Sequence, residues 1–199
     1  MTRLRHPLAL FRYREDGAAT VEMVILFPVF MFLFVSAFEL GTVMLRQTML
    51  DRSIDMTVRE LRLNQVGFVP DPTLTPQQQL DAYHDLLRKR VCERTGYLAD
   101  CDSKIKLEMK VVDPNTWSGL DPDADCIDTD DPKLPPRSLE TGDPNQMVLI
   151  RACHLFEPFI TNMRIWSTGA AALGTLLAED DGYYRLVSTA SYVIEPKGP

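Results

Sequence analysis

RYREDGAATVEMVILFPVFMFLFVSAFELGTVMLR, residues 12–46, decides how the rest of the chain is read. From Met23 to Phe38 it carries no charge, and its apolar character runs on to Leu45 with Glu39 as the one interruption. As a helix, Ala18–Leu45 would be roughly 42 Å long, enough to cross a hydrocarbon core of about 30 Å with some tilt. Arg3, Arg5, Arg12 and Arg14 precede the run. The bias of cationic residues toward the inner side then predicts a cytoplasmic N-terminus, with the remaining chain on the opposite face. A buried helix of a soluble core seldom contains so long an uncharged stretch.

Two plainer readings compete. An ordinary secretory signal would have the same basic and apolar regions, and Val35-Ser36-Ala37 would supply compact residues before a cut after Ala37. Against it, the apolar run is longer than such a signal needs, Glu22 stands at its entrance, and the chain continues helical past Ala37. An uncleaved signal anchor, holding a periplasmic binding module with no further role for the helix, is the other alternative.

Gly17 stands just before the apolar run and is followed by Ala18-Ala19-Thr20-Val21-Glu22. A short basic leader, a glycine and a glutamate five residues later resemble the processing site of type IV pilin-like precursors. The wording GAATVEMVILFPVFMFLFVSAFELG, residues 17–41, is similar to the start of the TadE/TadG-like family of tight-adherence (Tad) pilus proteins. That resemblance implies a minor pilin-like subunit of an adhesion pilus. A prepilin peptidase would cut it between Gly17 and Ala18, and the N-terminal helix would hold it in the bacterial inner membrane and pack on other pilus subunits. It also gives Glu22 a role, as the carboxylate that attracts a neighbouring subunit's free amine. Glu39, a second acid inside the apolar stretch, is expected to face either a partner helix or the membrane interface.

Working outward, residues 1–17 read as a cytoplasmic leader. It holds four arginines against two acids, so removing it makes an already acidic chain of formal charge −7 more acidic still. An acidic exterior argues against nucleic-acid binding, which calls for clustered Lys and Arg. On the other side, the helix is expected to run past the membrane through RQTMLDRSIDMTVRELRLNQ, with Ile54, Val58 and Leu61 continuing one face, until Gly67 and Pro70 break it. Residues 18–66 are thus membrane helix and stalk, and residues 67–199 a periplasmic domain. Pro28, inside the helix, removes one backbone hydrogen bond and favours a kink there.

Thr75-Pro76-Gln77-Gln78 has the makings of a helix start, with Thr as cap, Pro at the first position and Gln three on. Leu80, Tyr83, Leu87 and Val91 form its apolar stripe, Gly96 its stop, and His84 falls on the more polar, surface side. Lys104–Val112 alternates as a half-buried strand: Ile105, Leu107, Met109 and Val111 inward, Lys104, Lys106, Glu108 and Lys110 outward. The run from Ser118 to Asn145 is rich in Pro, Asp and Gly and reads as a long surface loop. Gln146–Phe156 is a second, more central strand, Phe159–Ala178 a broken helix, and Tyr183–Ile194 a third strand with Tyr184, Leu186, Ser188, Ala190, Tyr192 and Ile194 on one face. The expected class is α+β: a long N-terminal transmembrane helix, a second helix and an antiparallel sheet of at least three strands. The closing strand order resembles TadE-like proteins loosely, and the long acidic loop departs from the shorter members.

Four cysteines on the predicted exported side point to disulfides, since that compartment is oxidising. Three pairings are open. Cys92–Cys101 with Cys126–Cys153 is favoured by proximity alone. Zinc would more usually show a C-x-x-C pair, and none is present. Asp121, Asp123, Asp125, Asp128, Asp130 and Asp131 invite a calcium reading, and the first three alternate as in a calcium loop, but Cys126 stands where glycine is needed and Pro132 where a bidentate glutamate is needed. His154 beside Cys153 reads as structural. No nucleophile motif, phosphate loop or metal motif occurs, so no catalytic residue, metal or cofactor is nominated and the chain is not expected to be an enzyme.

Overall fold

The computed structural model describes residues 18–63, 65–96, 98, 100–127, 136–157 and 183–196. The leader with Gly17, the broken helix expected over Phe159–Ala178, and Asp128, Asp130, Asp131 and Pro132 lie outside the described residues. The chain divides into two compact units between Gly41 and Thr42, inside the first helix.

That helix, α1 (Ala18–Arg62), is continuous through Pro28. Its N-terminal part is apolar and open to the surroundings: Val24, Ile25, Phe30, Phe34 and Phe38 are all exposed. Among the described residues one helix is long and apolar enough to cross a membrane, and it lies here.

In the second unit, the rest of α1 is part of a core. Leu50, Ile54 and Leu61 are buried at the spacing that places them on one helix face. Arg46 lies 4.6 Å from the centre of the Phe156 ring. Arg94 reaches from the next helix to Glu60 and Thr57. Helix α2 (Pro76–Thr95) starts as its sequence directs: the Thr75 hydroxyl accepts from the Gln78 amide while the Gln78 side chain accepts from the Thr75 amide. It stops at Gly96, whose φ of 60° is a left-handed conformation that glycine adopts without strain. A disulfide from Cys92 to Cys101 ties this end to the single turn α3 (Cys101–Lys104).

Among the described residues the sheet has three antiparallel strands, β1 (Ile105–Val111), β2 (Met147–Phe156) and β3 (Tyr184–Val193), with β2 in the centre. On β3 the expected face turns inward: Leu186, Ser188 and Tyr192 are buried, and the odd-numbered residues from Val187 to Val193 are exposed. Ile105, Leu107, Met109, Val148 and Ile150 join Leu87 and Val91 of α2 and Leu50 and Ile54 of α1 in one apolar cluster.

The expectation for the other face of β1 is overturned. Lys106 and Glu108 do alternate away from the apolar core, yet they are only 5 % and 2 % exposed. A segment of the long acidic loop, residues 119–127, lies over them. Gly119 lets it approach, for a β-carbon there would sit 2.8 Å from the Leu149 side chain. The Lys106 ammonium meets Asp125 at 3.0 Å. Arg151, the cross-strand partner of Glu108, donates to its carboxylate at 2.8 Å and to the carbonyls of Asp121 and Asp123. The Asp125 amide donates to Glu108 as well. Residues 119–127 of the loop read as surface therefore form a strap, and charges that pattern alone sends to solvent are instead paired with one another beneath it.

The outer edge of β1 is closed too. The Leu107 amide donates to His84 Nε2, the Met109 amide to the Ser138 carbonyl, and the Val111 amide to the Glu140 carboxylate. His84 is thus not a surface residue, as its helix face suggested, but a buried cap on a strand edge. Its pKa is lowered, first by burial and next by the positive charge of Arg88 and then Lys106, with Asp85 and Asp81 acting the other way.

Candidate assembly site

The first turn of α1 begins at Ala18, and Glu22 follows four residues on, where residues of a helix share a face. Glu22 is exposed. A cut before Ala18 would free an amine one turn from that carboxylate. An acid at the mouth of an apolar helix is costly in lipid unless it meets a cation or an interface. Further along, Pro28 leaves the Val24 carbonyl without its helical donor. The Ser36 hydroxyl donates to the Phe32 carbonyl at 2.8 Å. Glu39 differs from Glu22 in being covered, at 5 % exposure.

Residues 17–59 match the family described as TadE-like protein. The match starts at Gly17 and lies otherwise within α1, the helix that carries Ala18, Glu22 and Glu39. No curated protein and no solved structure matches the chain.

The domain contributes two disulfides, Cys92–Cys101 and Cys126–Cys153, with α-carbons 5.6 Å and 5.1 Å apart. The second joins the strap to the middle strand. Among the described residues no group of His, Cys, Asp or Glu side chains is placed to hold a metal. Asp121 and Asp123 give their backbone carbonyls to Arg151, and Asp125 is taken by Lys106 and Arg137. His154 is buried in the sheet opposite Ile105.

One groove of about 710 Å³ opens on the helix side of the sheet, lined by Phe68, Pro70, Leu80, Tyr83, Gly142 and Tyr192 among others. Phe68 meets Tyr83 edge-on at 5.1 Å. Burial pushes the Tyr83 hydroxyl up to about 12 and raises that of Tyr192 as well. Both phenols therefore stay neutral at any ordinary pH. The sequence reading missed the buried set Lys106, Glu108, Asp125 and Arg151. Its signal was Arg151 itself, the lone charge in MVLIRACHLF, which is otherwise apolar or small apart from its histidine. An arginine in the central strand of a sheet needs a buried acid to meet it.

Proposed function

We propose that this chain is a minor pilin-like subunit for assembly of a Tad-type adhesion pilus, a structural part rather than an enzyme. In this reading a prepilin peptidase cuts after Gly17. The helix anchors the mature protein in the inner membrane with its N-terminus cytoplasmic and the disulfide-bonded domain periplasmic. Other pilus subunits pack on the N-terminal helix. The observation that carries it is the TadE-like match that begins at Gly17 and includes Glu22. Glycine fits the residue before the cut because it presents no side chain to the peptidase. Glu22 then serves as the counter-charge for a freed amine, its own or a neighbour's, which lowers the penalty of carrying either charge into lipid.

Intact mass of membrane-extracted protein tests this. Wild type should be lighter than the full chain by the 17-residue leader, roughly 2 kDa at about 110 Da per residue, and Gly17→Val should remain uncut. Glu22→Ala should be inserted and cut yet fail to restore pili in a deletion strain. A soluble product beginning after Ala37 would sink the reading. So would normal pili from Glu22→Ala, which would leave that residue only its favourable position near a helix N-terminus.

A further inference from the structure

The strap, residues 119–127, is fastened at one spot by two different chemistries. Register places Lys106 opposite Cys153 and Glu108 opposite Arg151 on β1 and β2. The strap answers with adjacent residues, Asp125 on Lys106 and Cys126 bonded to Cys153. Ionic and covalent fasteners thus leave the same face of the same two strands, side by side.

The strap brings little apolar surface to close with. Leu120, Ala124 and Ile127 are only half-buried, and Asp121, Pro122 and Asp123 are exposed. Closing it takes Lys106, Glu108, Asp125 and Arg151 out of water, and desolvation of paired charges roughly offsets their attraction. What tips such a balance is a tether. A bond holding Cys126 at Cys153 makes the meeting of Asp125 with Lys106 an intramolecular event at high effective concentration.

We propose that the Cys126–Cys153 bond is a redox gate on the strap. With the bond formed, the strap is shut and the charged face of β1 and β2 is hidden. With the pair as two thiols, the strap swings open and presents Lys106, Glu108 and Arg151 to solvent, while the apolar core, the sheet and the Cys92–Cys101 turn remain folded. The reductant is a dithiol. One of its thiolates attacks the sulfur of Cys126, a half-buried residue where Cys153 is fully buried, and expels the Cys153 thiolate, which takes up a proton. The second dithiol sulfur then displaces Cys126, so two protein thiols form and the donor leaves as a disulfide. The gate is independent of any role in a pilus. It gives one chain two surfaces according to the redox poise around it.

Hydrogen exchange on the full-length protein in detergent micelles reads the gate directly. In the Cys126→Ala, Cys153→Ala double variant, the Asp125 amide, bonded to Glu108, and that of Arg137, bonded to Asp125, should lose protection about 100-fold. Amides of β2, β3 and α2 should keep theirs. On wild type, dithiothreitol titration with thiol alkylation gives the same readout without mutation: strap protection should fall in step with labelling of Cys126 and Cys153. Strap protection that survives full labelling of that pair overturns the gate, because the ion pairs then hold the strap alone. Equal loss throughout the sheet overturns it too, because the strap is then no separate unit.

Discussion

The two faces of the central sheet are closed by opposite means. Toward the helices, Ile105, Leu107, Val148 and Ile150 meet Leu50, Ile54, Leu87 and Val91 in an apolar cluster. Toward the strap, Lys106, Glu108 and Arg151 meet Asp125 and three backbone groups. An apolar face adds stability with every buried carbon and tolerates small errors of placement. A charged face adds little net stability but fails badly when one member is lost. The first makes the fold stable; the second makes the position of the strap specific, since only Asp125 in that place satisfies Lys106.

The sharpest way to break this contrast is Arg151→Ala. It strands Glu108 in a dry site, and unfolding in denaturant should show a loss of about 3–5 kcal/mol. The paired change Glu108→Leu with Arg151→Met should recover most of that. If the double change is as damaging as the single one, the charged face contributes stability of its own and the contrast fails. Leu87→Ala tests the other face. It should lose about 2–4 kcal/mol, the cost of a cavity in an apolar face.

The smallest effect is expected at His84, on the strand edge between the two faces. Its folded pKa lies below its ordinary 6.5, so the unfolded chain binds the proton more readily. The stability that neutral His84 confers is fully present above about 6.5 and declines as the pH falls below it toward the folded pKa. His84→Gln should flatten this part of a stability-versus-pH curve, and an unchanged slope would remove His84 as its source.

What was legible in the sequence were features whose cause is local. Thr75, Pro76 and Gln78 announce a helix start within four residues, Gly96 announces its end, and the alternation of β3 sorts its two faces correctly. The apolar run announces α1 by length alone. What was not legible depended on residues brought together from far along the chain. KIKLEMKVV alternates as a strand with one wet face would, and nothing within it reveals that Asp125 and Arg151 will dry that face. The loop that carries Asp125 reads as polar because it is, and its burial follows from pairing rather than composition. His84 was misplaced for a similar reason: its partner is a backbone amide 23 residues away, which leaves no mark in helical periodicity.

The hydroxyls of α1 have a further consequence. Ser36 donates to Phe32, Thr48 to Met44, Ser53 to Leu50 and Thr57 to Ser53, each at 2.8 Å and each to a carbonyl of its own helix. A hydroxyl wired in this way makes no demand on what lies beside it. Lipid, water and a packed protein surface are then nearly interchangeable neighbours for that stretch of helix, as far as its alcohols are concerned. Those four hydroxyl protons need no partner outside the helix in any of these media, while Thr57 accepts from Arg94 as well where α1 joins the core.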